Sequence, residues 1–287
     1  MNHPDYNSPA SLKEFLEGNG MAMQKKFGQN FMINPSARSR IVDALEIGPE
    51  SSVWEIGPGL GCMSEEIMNR GASLKVFEID RGFISMLHQF FSEQESSRKF
   101  SIVEGDVLKK WKGEVPAENP GIRLFGNLPY NIAATFIADT IENGFTFSKC
   151  VFTVQKEVAQ RICAKSGSKN YSSFSVLCQW KYDVEAGLVL SAGNFWPKPN
   201  VASQVVIMKP KKNPLECSSP KTFVSLVHAL FSSRRKTIQN NIRQVLPPGL
   251  SSEELFEKTG ISPSLRAENL GPEDFMLLSE SISSAII

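Results

Sequence analysis

Residues 52–61 read Ser-Val-Trp-Glu-Ile-Gly-Pro-Gly-Leu-Gly, and residues 63–70 continue in a helical pattern. A β-type run, a glycine turn and a helix in that order predict the first unit of an open α/β sheet. Glycines at the end of a first strand let a ligand come close to the backbone. The spacing is G-x-G-x-G, which is not the dinucleotide fingerprint. No Gly-Lys-Ser/Thr follows, so a triphosphate cradle is absent as well. Taken alone, the loop also suits a plain tight turn.

Further β-type runs give it context. Residues 74–77 lead to Glu78, residues 100–103 lead to Glu104-Gly105-Asp106, and residues 122–125 lead to Asn127-Leu128-Pro129-Tyr130. Additional runs at 150–154, 184–190 and 204–208 complete the pattern. In open α/β sheets ligands sit outside the carboxyl ends of the strands, so Gly57, Gly59, Glu78, Asp106 and Asn127 are predicted to meet in one crevice. Glu78, about 20 residues past the glycine loop, suits ribose hydroxyls. Asp106 can accept from an adenine amino group.

Asn127-Leu128-Pro129-Tyr130 points to amine chemistry on a flat base. The N6 lone pair of adenine is delocalised into the ring and is a poor nucleophile. Two acceptors facing its N–H groups, the Asn127 side-chain oxygen and the Leu128 carbonyl, would draw the nitrogen toward tetrahedral geometry, with Pro129 fixing the chain direction. Tyr130 offers a ring face for an unstacked base. The same four residues also make an ordinary proline turn. Phe195, in the Pro-stiffened loop 195–203, either covers the second face of that base or anchors the loop in the core. Residues 25–32 read either as a lid, with Gln29 and Asn30 as polar contacts to a small ligand, or as cover for a sheet edge.

The chain has 287 residues, 41% of them hydrophobic, enough for one large domain and a smaller one. Its net charge of +1 announces no nucleic-acid partner globally. The charge is segregated, however. Residues 209–243 hold eight Lys/Arg against one Glu, and residues 244–287 hold two against seven acids. Arg234-Arg235-Lys236 lies in the basic part and is the candidate phosphate grip, although a basic run is also commonly a solvated face. The five cysteines show no Cys-x-x-Cys pair and no metal spacing with the three histidines; they read as reduced thiols of a cytoplasmic protein. No apolar run reaches membrane-spanning length, and no signal peptide pattern opens the chain. Residues 1–20, polar and rich in Asn, Ser, Pro and Gly, are expected to form a flexible arm. A Pro/Lys linker at 209–214 separates the α/β part from a helical one.

The segments 26–31 (Lys-Phe-Gly-Gln-Asn-Phe), 55–61, 127–132, 155–159, 234–236 and 261–270 resemble, in order, those of the ribosomal RNA adenine N6-dimethyltransferases that act on the small subunit. The resemblance implies a seven-stranded Rossmann-like sheet that binds S-adenosyl-L-methionine at residues 21–209, and a smaller all-helical, rRNA-binding domain at 214–287. It implies that Asn30 and the Met32 backbone contact the methionine end, Gly57 the middle, Glu78 the ribose and Asp106 the adenine. Asn127 would bridge cofactor and target amine, and Tyr130 and Phe195 would sandwich the base. The implied reaction is methylation of N6 on two adjacent adenosines in a hairpin loop near the 3′ end of 16S rRNA, within an immature small ribosomal subunit, by a monomer. Met32 stands where Leu is usual, a near-isosteric exchange.

Overall fold

A computed structural model describes residues 3–21, 30–118, 121–128 and 130–285, the side chains of Tyr130 and Asn131 excepted. The chain divides into two compact units. One comprises residues 1–136, 147–159 and 185–209; the other comprises 137–146, 160–184 and 210–287.

The first unit opens with α1 (Pro9–Gly18), capped by Ser8, whose side chain accepts from the Ser11 N–H. This overturns the flexible arm. Leu12 and Leu16, one turn apart, are buried together with Tyr6, and all three belong to the core of the α/β unit. The polar composition reflects the solvent face of a packed helix. β1 (Phe31–Met32) follows, then α2 (Pro35–Asp43), with Asn34 as its N-cap and Pro35 in its first turn.

The sheet is built from β2 (Ser52–Ile56), β3 (Ser73–Glu78), β4 (Phe100–Glu104), β5 (Arg123–Asn127), β6 (Lys149–Gln155) and β7 (Tyr182–Leu190). After the two-residue β8 (Phe195–Trp196), which pairs with β1, β9 (Ser203–Pro210) completes it. The order is β4-β3-β2-β5-β6-β9-β7. β2 to β6 pair in parallel and β9 runs antiparallel to β6. The crossovers carry α3 (Cys62–Asn69), α4 (Arg81–Phe90), α5 (Ser92–Ser96), α6 (Val107–Glu114) and α7 (Tyr130–Glu142). Strands covered on both faces read as nearly continuous apolar runs, which is why β2, β5 and β6 were legible. The order reverses at β2, between β3 and β5, so the loops after these neighbouring strands open one crevice. Seven strands in this arrangement match the expected sheet.

The second unit is wider than a segment starting at 214. It also takes residues 137–146 and 160–184, the end of α8 (Lys156–Ile162) and all of α9 (Ser173–Lys181). The reason is apolar content: Phe174, Val176, Leu177, Cys178 and Trp180 of α9 are all buried, and the Trp180 ring lies 4.4 Å from that of Phe223. Phe223 belongs to α10 (Pro220–Phe231), which packs with α11 (Ile238–Ile242) and α13 (Pro272–Ser283), while α12 (Ser252–Thr259) packs on α13. Among the described residues no helix is long and apolar enough to cross a membrane.

Candidate active site

The glycine loop after β2 is tied down at several points. Gly57 N–H donates to the Phe77 carbonyl at 2.9 Å, Gly59 N–H to Glu78 Oε2 at 3.1 Å and Gly61 N–H to the Pro58 carbonyl at 2.9 Å. Gly59 has φ +58°, and a Cβ there would sit 3.1 Å from Phe31 Cε1. Side chains are therefore excluded for two reasons, backbone strain and the Phe31 ring.

This loop, the ends of β3, β4 and β5, and the Asn30–Phe31 backbone enclose a cavity of ≈ 280 Å³. Glu78 is 6% exposed, and its Oε1 accepts from the N–H groups of Ile79 and Asp80, each at 2.8 Å. Burial raises its carboxyl above the usual range, against the pull of these N–H donors. Below it Glu55 is wholly buried. Burial pushes its carboxyl up to about 8, opposed by Ser64, whose hydroxyl donates to Glu55 Oε2 at 2.6 Å, and supported by the negative Glu78. Asp106 Oδ1 caps α6 by accepting from the Leu108 N–H at 3.0 Å, which leaves its second carboxylate oxygen for a donor in the cavity.

Asn127 stands at the end of β5, in register with Thr153 of β6, and its Nδ2 donates to the Asn30 carbonyl at 3.0 Å. A carbonyl can be met only by the amide nitrogen, so this contact fixes which way the side chain is turned and leaves Oδ1 as its acceptor. Leu128 is buried, lines the cavity and donates its N–H to the Thr153 carbonyl at 3.3 Å. Gly126 makes room for it: a Cβ there would lie 3.0 Å from the Leu128 side chain.

The structure thus brings together Asn30, Gly57, Gly59, Glu78, Asp106, Asn127 and Leu128. Pro129 and the side chain of Tyr130 lie outside the described residues, as do residues 25–29 of the suggested lid; the backbone of Tyr130 begins α7. Met32 does not reach the cavity. It is buried, and its carbonyl accepts from Arg38 Nη1 at 2.9 Å. Phe195 does not reach it either. Paired with Met32 across β1 and β8 and 2% exposed, it takes the alternative role of a buried anchor, and its ring has no open face for a base.

Sequence reasoning missed Ile79 and Val107. Ile79 is 49% exposed yet lines the cavity, and Val107 lines it as the first residue of α6. Both directly follow the strand-end acids, and that position was the available signal: an apolar plate beside each acid suits a flat base.

In the second unit the Arg234-Arg235-Lys236 run occupies the turn between α10 and α11. Arg234 is committed internally. Its Nη2 donates to the Lys169 carbonyl at 2.8 Å and to Glu268 Oε2 at 2.7 Å. Arg235 and Lys236 are exposed. Asn241 fixes the turn from within, its Nδ2 donating to the carbonyls of Leu230 and Ser233.

The lining tests which cofactor fits. Among the described residues it holds the strand-end acids Glu78 and Asp106, with the Glu55 carboxyl held protonated below about pH 8, and no Lys, Arg or His. Such a cavity repels phosphates and favours a cation. S-adenosyl-L-methionine carries a positive sulfonium and ammonium, ribose hydroxyls and a flat base, and the strand-end acids and apolar plates fit each of these.

Comparisons with known proteins agree. Residues 20–284 match the family model described as ribosomal RNA adenine dimethylase. A Treponema denticola protein named ribosomal RNA small subunit methyltransferase A is 46% identical, covering 97% of this chain and 96% of its own. A Bacillus cytotoxicus protein of the same name is 33% identical, covering 97% of each. Among solved structures, a Plasmodium falciparum dimethyladenosine transferase superposes with TM-score 0.71 at 22% identity, over 88% of this chain and 98% of its own. The 23S rRNA methyltransferase ErmE gives 0.63 at 22% identity, over 87% and 98%; at that identity both show the shared fold. The chain belongs to the ribosomal RNA adenine dimethylase family, whose members transfer methyl groups from S-adenosyl-L-methionine.

Proposed function

We propose that this rRNA adenine dimethyltransferase acts on 16S rRNA, methylating N6 of two adjacent adenosines in a hairpin loop near the 3′ end. The particle it acts on is an immature small ribosomal subunit, and it works as a cytoplasmic monomer. The observation that carries the chemistry is Asn127, with its amide nitrogen engaged by Asn30 and its oxygen left as an acceptor on the wall of an acidic, cation-favouring cavity. The 16S target is supported by the shared name of relatives that match over nearly the whole chain.

When bound, S-adenosyl-L-methionine supplies a methyl group on a positively charged sulfur. Glu78 takes the ribose, Asp106 the adenine amine, and Ile79 and Val107 flank the base. Asn127 Oδ1 and the Leu128 carbonyl accept from the target amine, localising its lone pair on nitrogen, and Tyr130 gives the extruded base a face to lie on. The contribution of these residues is proximity and orientation. A strong general base is not required, because the amine turns acidic once it gains the methyl and loses its proton to water. Extrusion costs a few kcal/mol in a stacked helix and less in a loop. Arg235 and Lys236 meet rRNA phosphates. Mapping the labelled nucleotides after reaction with immature small subunits tests the assignment; label confined to large-subunit rRNA would replace it.

A further inference from the structure

We propose that residues 3–8, with Tyr6 at their centre, position the cofactor loop, and that Tyr6 is a positioning residue for cofactor binding. Its hydroxyl donates to the carbonyl of Leu60, inside the glycine loop, at 2.7 Å in a buried contact. Because that proton is committed to Leu60, the phenol oxygen accepts from His3 Nδ1 at 3.0 Å, and the His3 ring stacks on Phe90 at 4.4 Å. Of the other loop contacts, one ends on a backbone carbonyl of β3, one on Glu78 and one within the loop itself, and the Gly61 carbonyl accepts from the Glu65 N–H of α3, the helix the loop leads into. Among the described residues Tyr6 is the side chain that ties the loop to a segment outside the sheet and its crossover helices.

The next residue extends the same function to a second wall. Asn7 Oδ1 accepts from Arg38 Nη2 at 2.8 Å, and Arg38 Nη1 donates to the Met32 carbonyl at 2.9 Å. Met32 is two residues from Asn30, whose carbonyl holds Asn127. One short segment therefore braces the glycine loop through Tyr6 and the Asn30–Met32 backbone through Asn7. Burial also raises the Tyr6 phenol well above its ordinary range, keeping it a neutral donor.

The inference rests on reading the cavity as the cofactor site, and the test separates the two. Full-length wild type, Tyr6→Phe, Asn7→Ala, Leu12→Ala and Glu78→Gln are titrated calorimetrically with S-adenosyl-L-methionine, with melting curves on each. Tyr6→Phe keeps the ring and removes the donor. It is expected to raise Kd roughly three- to ten-fold, the value of one buried hydrogen bond, and to raise KM for the cofactor while kcat at saturation and KM for RNA stay put. Asn7→Ala, at the surface, is expected to shift Kd the same way and stands in if Tyr6→Phe does not fold. Leu12→Ala is expected to lower Tm and leave Kd unchanged. A wild-type Kd for both Tyr6→Phe and Asn7→Ala beside a weakened Glu78→Gln overturns this inference alone. So does a Leu12→Ala shift as large as theirs, which would make the effect general loosening. If Glu78→Gln also binds as wild type does, the cavity is not the cofactor site and both readings fall.

Discussion

Gly59 N–H and Glu78 Oε2 are hydrogen-bonded at 3.1 Å, so the glycine turn after the first sheet strand is locked to the acid that ends the second. Glu78 accepts two more N–H groups, from Ile79 and Asp80. One carboxylate thus shapes the loop and lines the cavity. Glu78→Gln replaces one acceptor oxygen with a donor and sets it against backbone N–H groups. We expect cofactor affinity to fall at least about ten-fold and stability by about 1–3 kcal/mol, read by calorimetry and thermal melts.

Asn127→Ala removes the acceptor proposed for the target amine and leaves the Asn30 carbonyl without its side-chain donor. The chemical step should slow by about 10²–10³, the usual loss for one preorganised polar contact in a closed site. Cofactor Kd should change far less, since Glu78 and Asp106 remain. Single-turnover methyl transfer on immature subunits, beside calorimetric Kd, separates the two effects.

Glu55 gives the protein a pH signature. Its carboxyl is pushed up to about 8 in the fold, from an ordinary value of 4.5. Between those values the folded state holds a proton that the unfolded chain has released. Stability is therefore greatest at the acid end and is lost as pH rises through about 8. Glu55→Gln removes this titration and still accepts from Ser64. The Tm of wild type relative to Glu55→Gln should fall as pH rises across that window; a rise would mean the carboxyl is held below its ordinary value.

The basic run separates by role. Replacing Arg235 and Lys236 together by Ala should weaken particle binding and flatten its log–log salt dependence by about 1.4–1.8. Arg234→Ala should act differently. It releases Glu268 and the Lys169 carbonyl, so the expected loss is in the stability of the helical unit, with little change in salt slope. Binding measured across a salt series, together with melts, distinguishes the three cations.

The legible parts were those with a local signature. Buried strands such as β6, covered on both faces, cannot avoid a long apolar run, and the acids and Asn127 stood at their ends. α1 had a signature too, Ser8 before Pro9 and then Leu12 and Leu16 one turn apart, but its polar face dominated the composition. β1 and β8 are two residues each, and no periodicity can specify a strand so short. That is why Phe195 stayed ambiguous: an aromatic in a proline loop faces a ligand or the core according to a pairing made with Met32, far away in the chain. The second unit's claim on α9 was hidden for a similar reason. Trp180 meets Phe223 across a strand, a loop and a linker that carry no hint of it.

The most direct test incubates the protein with immature small ribosomal subunits and methyl-labelled S-adenosyl-L-methionine, then maps the label by nucleotide. The account predicts N6,N6-dimethyladenosine at two adjacent positions in a hairpin loop near the 3′ end of 16S rRNA, with transfer slowed by about 10²–10³ in Asn127→Ala. Label on 23S rRNA only, or transfer undiminished in that variant, would contradict it.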